Sequence, residues 1–401
     1  EEQFGLDPRL ATLDNGTVQL ADERRSAYAE LANIDATFSA LNLAGPWRSS
    51  GNFDYGAVPL AFTANTGAWV SDQPLGLGLR VFSRDNSGYS YFLDGSSNAG
   101  QFEGTLRLDP TQSADGKSDT EGQFRPVNYK SKVTGSFEKI SLSEIEIRPA
   151  GVADQGMMLS GNANFVLGKH IKATADFSAP RVDFDALAGA GARRLLRDGD
   201  GLSLVNGLLA GLPEAIDLRS SIKVAALKTG GEVLDNVLLD ISANRNAMRI
   251  HELSASLPGR SRSRFEGVFF PGTQYAELAG TLAVKSPDAR QLSLWLWPDS
   301  RSAIARTWTG LRGNLEGKAD VRLTASKLDL QNIEYVLDGE TGKAGLAVLV
   351  NGERPIIDLR IDMETADIDS YIPNGLAALS SDGSASWSSI VGNFVEEQVK
   401  R

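Results

Sequence analysis

The most constraining feature of this chain is the alternation of apolar and polar residues that recurs, strand after strand, between Ile216 and Val284. Ile216, Leu218, Ile222 and Val224 alternate with Asp217, Arg219, Ser221 and Lys223, the period of two that gives a strand one dry face. Val233, Val237, Leu239 and Ile241 continue the pattern, the turn Asn244-Arg245-Asn246 reverses the chain, and 248–257 runs back to a stop at Pro258-Gly259. A second hairpin, turning at Pro271-Gly272-Thr273, returns with Ala276, Leu278, Leu282 and Val284 facing inward. Ser286-Pro287 then predicts a serine-capped helix whose apolar side carries Ala289, Leu292 and Leu296. Such a module must cover one greasy face, and it contains no reactive group.

The same logic extends over most of the chain. Alternating or apolar runs predict strands at 16–20 and its partner 28–41, then across 51–108, 124–177 and 313–363, with a polar loop over 109–122. Helical spacing appears at 186–196 and 202–212, at 300–311, at 370–379 and at 384–398. Three strand sets end alike, at 177–187, 284–292 and 363–372: strand, short Asp-containing segment, helix with an apolar anchor. Their separation of roughly 80 to 105 residues is an internal repetition longer than common solenoid periods. The expected segments are 1–185 (β), 186–214 (helical insert), 215–299 (meander plus helix), 300–312 (helical connector), 313–373 (β) and 374–401 (helix or tail).

Composition narrows the chemistry. The absence of cysteine removes disulfides and thiolates, and a net charge of -11 over 401 residues argues against nucleic acid, which selects basic surfaces. His170 and His251 stand far apart without a second ligand, so neither a metal site nor a catalytic triad is expected. Asp115-Gly116-Lys117-Ser118 lacks the earlier glycine of a phosphate loop, and Asp198-Gly199-Asp200-Gly201 reads as a turn. The pairs Asp183/Asp185 and Asp367/Asp369 sit where strands enter helices and read as caps. Arg260, Arg262 and Arg264 alternate along a strand face that reads as solvated, as do Arg193, Arg194 and Arg197. Trp295, Trp297 and Trp308 read as helix-to-sheet packing. No enzyme activity, cofactor or metal is expected.

Asp217-Leu218 with its alternating strand, the block 234–239 (LDNVLL), the block 248–259 (MRIHELSASLPG) and Asp288-Ala289-Arg290 together resemble the AsmA family of envelope proteins. The blocks 35–40 to 56–60 and 339–372 are similar too. The resemblance implies a mainly β fold with short helices: a long curved antiparallel sheet forming an open hydrophobic groove. It implies a periplasmic location, tethered to the inner membrane by an anchor outside this stretch, since the chain begins at Glu1 without initiator methionine or signal peptide. It further implies phospholipid as the partner, with outer-membrane lipid homeostasis as the role; a structural or assembly factor holding other envelope proteins is the runner-up. On that reading Ile222, Val224, Leu239, Ile241, Leu278, Leu282 and Val284 line the groove, and Arg260, Arg262 and Arg264 are the candidates for meeting headgroup phosphates.

Overall fold

The computed structural model describes residues 10–22, 27–40, 42–85, 88–111, 125–150, 157–187, 201–229, 232–272, 276–296, 313–349 and 356–363. The helices expected at 300–311, 370–379 and 384–398 lie outside them, as do Trp297, Trp308, Asp115, Asp198, Asp367, Asp369 and the Arg193 cluster. The protein is mainly β with a few short helices. Contacts divide it into two compact units. The first comprises Glu1–Ala255, Phe265–Gly280 and Arg322–Ala325; the second comprises Ser256–Arg264, Thr281–Val321 and Ser326–Arg401.

In the first unit thirteen strands pair in chain order. They are β1 (Ala11–Asp22), β2 (Ala27–Ala40), β3 (Trp47–Tyr55), β4 (Val58–Thr66), β5 (Leu75–Ser83), β6 (Tyr89–Asn98) and β7 (Gln101–Pro110), then β8 (Val127–Gly135), β9 (Lys139–Pro149), β10 (Leu159–Val166), β11 (Ile171–Asp183), β12 (Ile216–Thr229) and β13 (Glu232–Asn244). The sheet is open, as expected, and one expected feature is corrected: it is mixed, where an antiparallel sheet was anticipated. β12 pairs parallel to β11, with Ala173 beside Leu218 and Phe177 beside Ile222. The reason is the long connection between them. A tight turn would force antiparallel pairing, whereas 184–215 is long enough to carry the chain back to the starting end. That crossover contains helices α1 (Phe184–Leu187) and α2 (Gly201–Ala210).

The remaining strands are β14 (Ala247–Leu257), β15 (Ser261–Phe270), β16 (Glu277–Ser286), β17 (Leu315–Thr324), β18 (Lys327–Leu337), β19 (Glu340–Leu349) and β20 (Ile356–Met363). In the second unit β18, β19 and β20 form an antiparallel meander. Asn244 Oδ1 accepts the N–H groups of Asn246 and Ala247, closing the turn expected there.

Bulges keep the faces consistent where the alternation falters. Register shifts occur at Leu13/Gly16, Ala32/Asp35 and Leu330/Ile333, and β9 carries another opposite Lys130/Lys132. Each contains a residue with positive φ, respectively Asn15, Asn33, Asn332 and Glu144. The extra residue puts Leu142 and Ile145, three apart in sequence, on one face, opposite Ala163 and Gly161. The bulge side chains meet polar partners: Asn33 Nδ2 donates to Asp54 Oδ2 and Asn332 Nδ2 to Asp320 Oδ2, each at 2.8 Å, while Glu144 pairs with Lys132.

In the second unit the helix α3 (Ala289–Leu296) starts differently from expectation. Asp288 Oδ1, and not Ser286, accepts the N–H of Gln291 at 3.0 Å. Ser286 is fully buried and instead its Oγ accepts from Ser261 Oγ at 2.7 Å, since a hydroxyl without access to water needs a partner in the protein. Gly259, at φ 73°, allows the Pro258–Arg260 3-10 turn to lie against this helix start: a Cβ there would sit 2.6 Å from that of Gln291.

Candidate functional site

Tracing the registers across the first unit sorts every strand onto two unlike faces. One row runs Thr66, Leu77, Gly95, Gly104, Val133, Leu142, Ala163, Ala175, Ser220 and Ile241, from β4 to β13. A parallel row runs Ala36, Gly51, Phe62, Val81, Tyr91, Leu108, Tyr129, Ile147 and Leu159. Between them lie Phe38, Ser49, Ala64, Leu79, Leu93, Leu106 and Ser131, and further along Gly161, Phe177, Ile222 and Leu239. No residue in these rows is charged. At a strand spacing of about 4.8 Å, ten strands make a dry face roughly 43 Å across.

The opposite face is built from the intervening residues. Its row Thr63, Arg80, Phe92, Arg107, Lys130, Glu146, Ser160, Ser178 and Lys223 is mostly polar or charged. Its aromatic residues are covered by guanidinium groups: Arg80 lies 4.8 Å from the ring centre of Phe82, and Arg107 lies 4.4 Å from that of Phe92.

On the dry face polar atoms are paired in part, the buried Ser49 Oγ having no hydrogen-bond partner among the described residues. Tyr129 donates to Ser131 Oγ at 3.0 Å, and Tyr89 OH accepts the Val127 N–H at 3.2 Å. Burial pushes the Tyr129 phenol above its ordinary value, with the Ser131 bond acting the other way. The paired glycines Gly95 and Gly104 lie beneath the Phe102 ring, whose Cζ would be 2.8 Å from a Cβ at either position. The aromatic ring thus fills the gap that two missing side chains leave in the sheet.

Cover over this face is uneven. The hydrophobic core cluster lies beneath α2, where Leu202 and Leu209 pack with Ala243 and Phe269, flanked by Met248, Leu278 and Leu323. Along the β3–β6 part, in contrast, Tyr55 is 54%, Val58 49%, Tyr91 44% and Leu79 40% exposed. Apolar side chains presented this way form a patch that water covers only at a cost, and such patches mark binding surfaces. In the second unit Leu330, Leu346 and Leu359 likewise share a face, with Leu359 48% and Ile361 57% exposed.

The residues singled out from the sequence fall into three groups. Ile222, Val224, Leu239 and Ile241 stand together on the dry face, Ile222 directly beside Leu239. Leu278 packs against the cluster beneath α2, while Leu282 and Val284 are half-buried in β16 within the second unit. Arg260, Arg262 and Arg264 are exposed, and Arg262 stands next to the fully buried Ser261, on the opposite side of β15. The wider dry face across β2–β11 was missed as one surface, although each of its strands showed alternation, because a single strand's pattern carries no information about its neighbours' register.

The remaining chemistry is structural. Asp183 is buried, and its Oδ1 accepts the Ala186 N–H at 2.9 Å, capping α1 as expected, while Oδ2 pairs with Lys228 Nζ at 3.1 Å. Burial raises its pKa, but the Lys228 hydrogen bond, the Ala186 N–H and the charges of Lys228 and Arg181 outweigh this and hold the carboxyl below the usual aspartate value. A depressed folded-state value means stability that is fully present above the ordinary aspartate range and lost as pH falls through the lowered one. Asp183→Asn is therefore expected to cost about 1–3 kcal/mol at neutral pH. Urea titrations at pH 7 and in acid check this, because the difference from the unsubstituted protein must shrink as the pH falls. His251 Nε2 lies 2.9 Å from Ser242 Oγ. Among the described residues no group of three or more His, Asp or Glu is placed to hold a metal, and no helix is long and apolar enough to cross a membrane. The chain matches no protein-family model, and no curated protein or solved structure is significantly similar to it.

Proposed function

We propose that this protein is a non-enzymatic, AsmA-like envelope protein whose dry sheet face shields the acyl chains of phospholipids. The observation that carries the reading is the row from Thr66 to Ile241: ten strands, one face, no charge. Hydrocarbon laid on such a face is stabilised by roughly 2.5 kcal/mol for each 100 Å² of apolar surface removed from water. The match is one of class and not of detail. An acyl chain offers no hydrogen-bonding group, and the rows it would meet carry no charge, with the Tyr129 and Ser131 hydroxyls bonded to each other. An open sheet leaves one side of the chain to be covered by other lipid or by a membrane surface. The AsmA resemblance supplies the periplasmic location, the inner-membrane tether and the role in outer-membrane lipid homeostasis that belong to this proposal.

The test is direct. Protein purified from a Gram-negative host is expected to carry phospholipid that survives gel filtration, recoverable by solvent extraction and mass spectrometry. After delipidation it should take up a fluorescent phosphatidylethanolamine from detergent-free dispersion. Protein that carries no lipid and takes none up refutes the reading; protein that copurifies stoichiometrically with an envelope protein while remaining lipid-free favours an assembly role.

A further inference from the structure

Helix α2 lies on a continuation of the same dry face that is exposed elsewhere in the first unit. Ala243, which it buries, stands two residues beyond Ile241 on β13 and so on the same side of the sheet. Resting on the reading above, we infer that α2 is a displaceable stopper, docked on the face over β13 to β17 when no ligand is present and unwound from it when acyl chains take that place.

The character of the helix supports this. It is ten residues long, has no acidic residue in its first turn and no basic residue in its last. Isolated helices shorter than roughly 12–15 residues are marginal in water even with better sequences. Gly207 stands exposed within it, and Val205 and Asn206 are weak helix formers. The sheet therefore holds the helix in shape, through Leu202 at 7% and Leu209 at 4% exposure and through Asn206 Oδ1, which accepts the Gly272 N–H at 3.1 Å. A helix that depends on one surface for its fold comes apart when a competitor takes that surface.

Its outward side points the same way. Leu208 is 71% exposed, next to the buried Leu209, and the segment Gly201–Ala210 carries no charge. A permanent surface helix ordinarily turns a charged side to water. This segment is uncharged throughout and exposes Leu208, which suits a piece of chain that spends part of its time alongside hydrocarbon.

Two substitutions push the helix in opposite directions. A Cβ on Gly207 meets nothing within 4 Å, so Gly207→Ala strengthens the docked helix without disturbing the sheet and is expected to weaken phospholipid binding about fivefold. Leu209→Ser removes part of the buried underside, releases the helix and is expected to raise the lipid bound by roughly twofold or more. Both are measured on the full chain by titration with fluorescent phosphatidylethanolamine, with circular dichroism reporting the sheet. Opposite shifts from the two variants establish the stopper. If the unsubstituted protein binds lipid and Gly207→Ala binds it equally well, α2 is a fixed part of the core and the inference is overturned while the acyl-chain reading stands. If the unsubstituted protein binds no lipid, both fall. Should Leu209→Ser lose its sheet signal, the Gly207→Ala titration alone decides.

Discussion

Leu93→Glu combined with Leu106→Glu is expected to lower phospholipid affinity on the order of 100-fold, the largest functional loss that a change of two residues will produce. The two leucines face each other across β6 and β7 in the middle of the dry face. A carboxylate there must be desolvated against hydrocarbon or stay hydrated and hold the chain away, and two such groups side by side repel each other as well. The fold itself should survive, because both side chains are only partly buried. The control is Thr174→Glu, which is exposed on the polar face opposite Arg219. It adds negative charge and is expected to leave binding within experimental error. Equal losses from both variants would show that binding answers to charge in general and not to the dry face, and the proposed function would lose its foundation. The readout is equilibrium titration with a fluorescent phospholipid, alongside circular dichroism.

The largest loss of stability is expected from Phe269→Ala. Phe269 is 1% exposed and sits in the cluster that joins α2 to the sheet, with Leu202, Leu209 and Ala243. Removing the ring leaves a cavity that the open sheet cannot close by shifting one strand, so the expected cost is about 3–5 kcal/mol. Leu208→Ala in the helix just above, at 71% exposure, is expected to change stability by less than about 0.5 kcal/mol. Urea unfolding followed by circular dichroism compares the two through their midpoints, with the slope reporting any change in the surface released. A small effect at Phe269 would mean that the cluster under α2 is loosely packed, and the sheet would then draw its stability from its strand ladder and aromatic–glycine contacts instead.

The physical consequence of an open, one-sided sheet is that its apolar face is both an asset and a hazard. Charged bulge residues, such as Glu144 with its Lys132 partner, help keep the other face wet. Phe102 over Gly95 and Gly104 shows how the dry face keeps its own surface level without a second layer. A side chain larger than glycine at those positions would stand where the ring now lies. An open apolar surface accepts a flexible chain in many positions, which suits acyl hydrocarbon better than a ligand needing one fixed orientation.

What the sequence determined by itself is the one-sided character of each strand. Alternation such as Ile216, Leu218, Ile222 and Val224 states that a strand has a dry side, and Asp183 before its apolar anchor marks where a helix starts. Local physics suffices for both, because side-chain direction in a strand and capping at a helix end depend on residues only a few positions apart. Which dry sides join was decided only by the tertiary structure. Register between strands is a long-range choice, and at Glu144 a bulge resets the count so that Leu142 and Ile145 share a face that strict alternation would have divided. The parallel pairing of β11 with β12, and the placing of α2 on Ala243, Phe269 and Leu323, join residues far apart in the chain. No periodicity encodes those contacts; they exist because burying Leu202 and Leu209 there removes more apolar surface from water than leaving a ten-residue helix alone in solution.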